Sequence, residues 1–85
     1  MKGYSNWETY NVLLWLDNNR ELYKNKLRFV NKYGNKKNFE KHLNIFLGYM
    51  FPKGTPDMER QDQMKKVNIK EIANILRDEY ENEEL

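Results

Sequence analysis

From Trp7 to Leu16 the chain reads Trp-Glu-Thr-Tyr-Asn-Val-Leu-Leu-Trp-Leu. At about 100° per residue, Trp7, Tyr10 and Leu14 share one face while Val12, Leu13, Trp15 and Leu16 cover most of the rest. This pattern predicts a first helix that is nearly all buried. Thr9 to Leu16 is also rich in strand formers, but strict alternation is missing. Ser5-Asn6-Trp7-Glu8 moreover has the form of a capping box, in which a Ser oxygen takes a free amide at the helix start and Glu reciprocates.

Asp17-Asn18-Asn19 favours caps and turns and lets a second helix begin at about Arg20. Leu22, Tyr23, Leu27, Phe29, Val30 and Tyr33 fall on one broad side of it, and Gly34 stands where a left-handed helix terminus favours glycine. After a turn over Asn35 to Asn38, the residues Phe39, Leu43, Phe46, Leu47 and Met50 recur at core-facing helical spacing, with Glu40, Lys41 and Asn44 opposite. Phe51-Pro52-Lys53-Gly54-Thr55-Pro56 ends this third helix in a loop at 51–57, with Thr55 available as a cap and Pro56 suited to a first helical position.

Asp57 to Lys66 holds only Met58 and Met64 as large apolar residues, and these do not share a helical face. A short exposed helix and a mobile segment are equally compatible with it. Asn68-Ile69-Lys70-Glu71 then repeats the cap logic, and Ile69, Ile72, Ala73, Leu76 and Tyr80 form the stripe of a last helix, followed by an acidic end at 78–85. The expected fold is all-α, a small irregular bundle of four to five short helices around the first helix and the Phe39/Phe46 face, in a single domain over 1–85.

Size constrains that core. A chain of 85 residues buries only a modest share of its surface, so the core must be dense in large side chains, which four Phe, six Tyr and two Trp supply. The absence of cysteine excludes a disulfide scaffold and a thiolate zinc site, and no apolar run approaches the ~18 residues a membrane span needs. Met1-Lys2-Gly3-Tyr4-Ser5-Asn6 contains no apolar signal region, so a cytoplasmic location is expected.

Catalytic chemistry finds little support. With one His, one Ser and no Cys, a nucleophile with a base and an orienting group cannot be assembled at recognisable spacing. His42, between Phe39 and Phe46, reads as a satisfied, partly buried histidine. Asp17 and Glu21 read as a cap and a solvated acid rather than a metal or acid/base pair. The four glycines are isolated and fit neither a P-loop nor a dinucleotide fingerprint. The expectation is a protein that is not an enzyme and needs no metal or cofactor.

Charge carries more information. Met1 to Lys53 holds ten basic and four acidic residues, whereas Gly54 to Leu85 holds five basic and nine acidic. Arg20, Lys24, Arg28 and Lys32 follow one another at four-residue steps and drift only about 40° each time, making a ridge on the second helix that Lys36, Lys37 and Lys41 extend. Like charges at this spacing cost a few tenths of a kcal/mol each, which an acidic protein surface or a phosphate backbone would offset. These seven residues are the candidate partner-binding site; a solvated lysine-rich face is the alternative.

Val67 to Leu76 has the spacing of the first helix of a helix-turn-helix, but no recognition helix follows it, and the acidic end would repel phosphate. A dedicated nucleic-acid domain would also show a more basic chain than the pI of about 8.8 found here.

Asn6-Trp7-Glu8-Thr9-Tyr10, Trp15-Leu16-Asp17-Asn18 and Val67-Asn68-Ile69-Lys70-Glu71-Ile72-Ala73 carry a resemblance. The chain resembles a family of small uncharacterised proteins encoded by bacteriophages, plasmids and their hosts, which often begin Asn-Arg-Glu-Thr-Trp and contain a Trp-Leu-Asp-Asn segment. Trp7 stands here for the usual Arg and Tyr10 for the second aromatic. The resemblance implies a mobile-element setting and no particular activity.

Small size, absent catalytic groups, polarised charge and this resemblance together predict a phage or mobile-element binding protein that occludes a host macromolecule. Its concrete form is an inhibitor of a host defence nuclease of the anti-CRISPR type. A protein is the expected partner and no membrane is. A nucleic-acid-binding accessory protein using the same ridge is the alternative, and a homodimer closed by Tyr23, Tyr33, Tyr49 and Phe51 is a third reading.

Overall fold

The computed structural model describes residues 3–82, the side chain of Gln61 excepted. Four α-helices run in order, α1 (Trp7–Asn18), α2 (Arg20–Tyr33), α3 (Phe39–Met50) and α4 (Ile69–Glu81), with a short 3₁₀ helix at Gln61–Lys66 before the last. No strand occurs among the described residues, and the fold is the small irregular all-α bundle that the periodicity predicts. Residues 83–85 of the expected acidic end lie outside the described residues.

The start of α1 differs from expectation. Asn6, not Ser5, is the N-cap, and its side-chain oxygen accepts from the Thr9 amide at 2.9 Å. Ser5 is drawn to α4 instead, where its hydroxyl donates to the Glu71 carboxylate and its Oγ accepts from Asn68 Nδ2 at 3.1 Å. Glu8 likewise turns away from the cap and accepts from Gln63 Nε2. One residue then joins α1 to α2. The Asn19 amide donates to the Trp15 carbonyl to close α1, while its side chain accepts from Leu22 N at 3.0 Å to open α2. Its extended backbone turns the chain sharply, so α1 and α2 pack along each other.

The core is built from Val12 and Leu16 of α1, Phe29 of α2, Phe39, Leu43 and Leu47 of α3, and Ile72 and Leu76 of α4. Within α1 the buried side is Thr9, Val12, Leu13 and Leu16, with Asn11 beside them, whereas Leu14 is exposed and Trp7 and Tyr10 only half-buried. The expectation of a nearly all-buried helix is corrected here. Aromatic rings lock α2 to α3, Phe29 stacking on Phe46 at 4.6 Å and Tyr33 on His42 at 4.3 Å. The same contacts bury Phe29 and leave Tyr33 half-buried, while Phe51, an expected dimer residue, is sealed in the core.

Gly34 does close α2, but in a right-handed conformation with φ −55°, so the expected left-handed terminus is absent. Glycine is required for space. A Cβ there would stand 2.8 Å from the Tyr80 ring, which packs over the helix end. Arg77 braces that end from α4 by donating to the carbonyl of the cap residue Gly34 and to that of Lys36 in the turn beyond it.

No helix starts at Thr55. Its hydroxyl donates to Asn11 Oδ1 and accepts from the Asp57 amide, which buries Thr55 and makes it the pin of a turn rather than a cap. Gly54, at φ +84°, supplies the positive φ that the preceding bend demands. The segment 57–66 holds a short 3₁₀ helix at Gln61–Lys66, the short-helix reading of the two that the sequence allows. Met58 enters the core, and Gln63 accepts from the amides of Glu59 and Arg60 to nucleate the 3₁₀ helix.

Candidate functional site

Helix α2 inserts Phe29 and Val30 into the bundle, so with 3.6 residues per turn the positions Arg20, Lys24, Arg28 and Lys32 fall on the opposite, outward side. All four are exposed, as are Lys36, Lys37 and Lys41. None of the seven joins an ion pair among the described residues, whose bridges are Lys26 to Asp17 and Glu79, and Arg60 to Asp62. The one acid of α2 is Glu21, in its first turn. Arg28 donates to Asn25 one turn back, and the Lys32 ammonium lies 5.4 Å from the Tyr33 ring centre. The rest of the ridge is fixed only by its backbone.

The seven cations do not form one continuous strip. Lys37 and Lys41 line a shallow groove with Asn38, Glu40, Asn44 and Ile69, to which α2 contributes nothing. Lys36 is placed by its carbonyl, which accepts from Arg77. The ridge proper is therefore Arg20, Lys24, Arg28 and Lys32, and Lys41 belongs to both the groove and the outer face of α3.

Lys26 is the charged residue that the apolar pattern conceals. The sequence pattern places it on neither the ridge nor the core, yet its side chain is 6% exposed and its ammonium meets Asp17 at 2.6 Å and Glu79 at 3.4 Å. Burial works against the ammonium, but the hydrogen bond and charge of Asp17, aided by Glu79, outweigh it and hold the Lys26 pKa above its ordinary value. Asp17 therefore serves Lys26 rather than facing Glu21. The three charged groups share a cleft with Tyr23, Leu27 and Tyr80. Lys26 spaced nine residues after Asp17 was the available signal, but only the α1–α2 turn makes that spacing a contact.

A second polar cluster ties the long loop to α1. Asp57 accepts from Asn11 Nδ2 and from the indole Nε1 of Trp15, both at 2.8 Å, and these donors hold its carboxyl below the usual carboxylate range. This cluster is architectural: each polar atom in it is matched, and no buried side-chain nitrogen or oxygen among the described residues lacks a partner. His42 is half-buried, its ring stacked on Tyr33. Among the described residues no group of three or more His, Asp or Glu side chains is disposed to hold a metal ion. No helix there is long and apolar enough to cross a membrane.

The match to a known family spans almost the whole of this architecture, residues 1–84. The chain belongs to DUF7249, a family of unknown function. No curated protein and no solved structure matches it. The match to DUF7249 covers α1 to α4.

Proposed function

We propose that this protein acts by binding rather than by catalysis, seating the outer face of α2 on an acidic surface of a protein partner and occluding it. One observation carries the reading: four cations repeat at i, i+4 along a single exposed helix face and join no ion pair among the described residues. Like charges at this spacing repel, and no ion pair among the described residues relieves them. An apposed acidic surface would relieve the repulsion and steer encounter.

The resemblance to phage and plasmid proteins extends the proposal to a mobile-element protein acting in the cytoplasm. There it would occlude a host macromolecule, in its concrete form a defence nuclease, in the manner of an anti-CRISPR protein. Affinity capture from host-cell lysate, in nuclease-treated and untreated halves, tests it. The control carries Arg20→Glu, Lys24→Glu, Arg28→Glu and Lys32→Glu together. A protein complex that survives nuclease and disappears with the charge-reversed variant supports the reading. Recovery that depends on nucleic acid, with affinity falling about 0.9 log units per phosphate contact for each log unit of salt, replaces it with the accessory-protein alternative. Recovery that is identical for the native and reversed chains removes the ridge from function.

A further inference from the structure

The α2–α3 contacts place an apolar patch against the ridge. Phe29 stacks on Phe46 and Tyr33 on His42, so the two helices run antiparallel, with each α2 position facing an α3 position that falls as the other rises. In such a pair, the residue just before each contact residue lies on the same flank of both helices. Arg28 and Lys32 of α2 therefore share one face with Lys41 and Ile45 of α3, and Tyr49, one turn beyond Ile45, joins it. Ile45 is 51% exposed and Tyr49 77%, the two most exposed of the large hydrophobics. By contrast, Tyr23 and Leu27 lie on the other flank of α2 beside Glu79.

We infer that the α2–α3 face docks an acidic amphipathic helix of a partner protein, its apolar stripe seated on Ile45 and Tyr49 and its carboxylates meeting Arg28, Lys32 and Lys41. This inference rests on the proposed binding role of the ridge and specifies the partner's chemistry. Phosphate binding would use the cations but has no need of Ile45 or Tyr49. A second copy of the chain offers acids at the end of α4, but Ile72, Ala73 and Leu76 of that helix are buried in its own core. An external helix with both features fits the whole face.

The test uses the full chain and two fluorescent peptides of about 18 residues with identical Leu and Glu content, one amphipathic as a helix and one with the order scrambled. The amphipathic peptide should bind about tenfold tighter than the scrambled one. Ile45→Ser with Tyr49→Ser should abolish that preference while leaving the fold intact, because both side chains are exposed. Equal binding of the two peptides, no binding of either, or a preference unchanged in the Ile45/Tyr49 variant overturns the inference. So does tighter binding of a DNA duplex, or a concentration-dependent dimer that Tyr49→Ser dissolves. Loss of all binding on reversing the four ridge charges, with no peptide preference in the native chain, sinks the helix-docking inference alone. Binding that ignores the charge reversal sinks the ridge reading as well.

Discussion

Asn11, in the first helix, donates its side-chain amide to Asp57 Oδ2 at 2.8 Å across 46 positions of chain. Trp15 adds its indole N–H to the same oxygen, and the Asn11 carbonyl oxygen accepts from Thr55. The loop after α3 is thus held to α1 by polar matching as well as by the burial of Phe51 and Met58, and its attachment through the Asp57 carboxylate is sensitive to pH.

The Asp57 carboxyl is held below its ordinary range by Asn11 and then Trp15. Its pKa is lower folded than unfolded, so its contribution to stability is fully present above the unfolded value and is lost as pH falls through the folded one. Urea unfolding from neutral pH into acid should show this loss. Asp57→Ala should lower stability at neutral pH and flatten the acid side of the curve.

Lys26 should behave in the opposite sense. Its raised pKa gives a contribution present below the unfolded value and lost as pH rises through the higher folded one. Asp17 and Glu79 are about half-exposed and can rehydrate, so Lys26→Met, which keeps the packed stem, should cost about 1 kcal/mol or less. Removing both acids, Asp17→Ala with Glu79→Ala, strands a buried ammonium and should cost more than Lys26→Met. Chemical denaturation of the two variants decides the order.

Gly34→Ala would stabilise most right-handed helix ends by a few tenths to about 1 kcal/mol. Here the sign should invert, because the new methyl meets the Tyr80 ring at 2.8 Å, and a loss of about 1–3 kcal/mol is expected. A double-mutant cycle with Tyr80→Ala should show the two changes coupled, the alanine being better tolerated once the ring is gone.

Neutralising Lys24 and Arg28 to Gln should raise the melting temperature slightly at low salt, by the few tenths of a kcal/mol per i, i+4 repulsion that the change removes. The gain should vanish at high salt, where the repulsion is already screened. A loss of stability instead would mean that these side chains support the fold.

Phe29 touches the rings of Phe39, Phe46 and Tyr33 and is the aromatic hinge of the α2–α3 pair. Phe29→Ala should cost about 3–5 kcal/mol, enough to separate α2 from α3 and to disperse the docking face along with the core. Loss of near-ultraviolet circular dichroism at a lower urea concentration checks it.

Local information determined the helices. The stripes of Phe39, Leu43 and Leu47 and of Ile72, Ala73 and Leu76 declare their helices because 3.6-residue periodicity, caps and turn residues act within a few positions, and the cationic ridge is legible for the same reason. Which part of a helix is buried is another matter, since that depends on what packs against it. Leu14 is exposed while Asn11 is buried, because the long loop brings Thr55 and Asp57 to Asn11. Lys26 is buried while Leu27 is exposed, because α1 and α4 bring carboxylates to the ammonium. Ser5 resembles a cap by spacing, but Glu71 lies across the bundle and takes its hydroxyl. Gly34 marks a helix end by its position, yet the Tyr80 ring, arriving from the far end of the chain, joins the Val30 carbonyl in leaving no room for a side chain there. Short-range spacing thus determined the elements and their charged face. Contacts between different elements, from the nine positions between Asp17 and Lys26 to more than forty between Asn11 and Asp57, decided which polar groups went inside, because a buried polar atom is tolerated only where the fold brings it a partner.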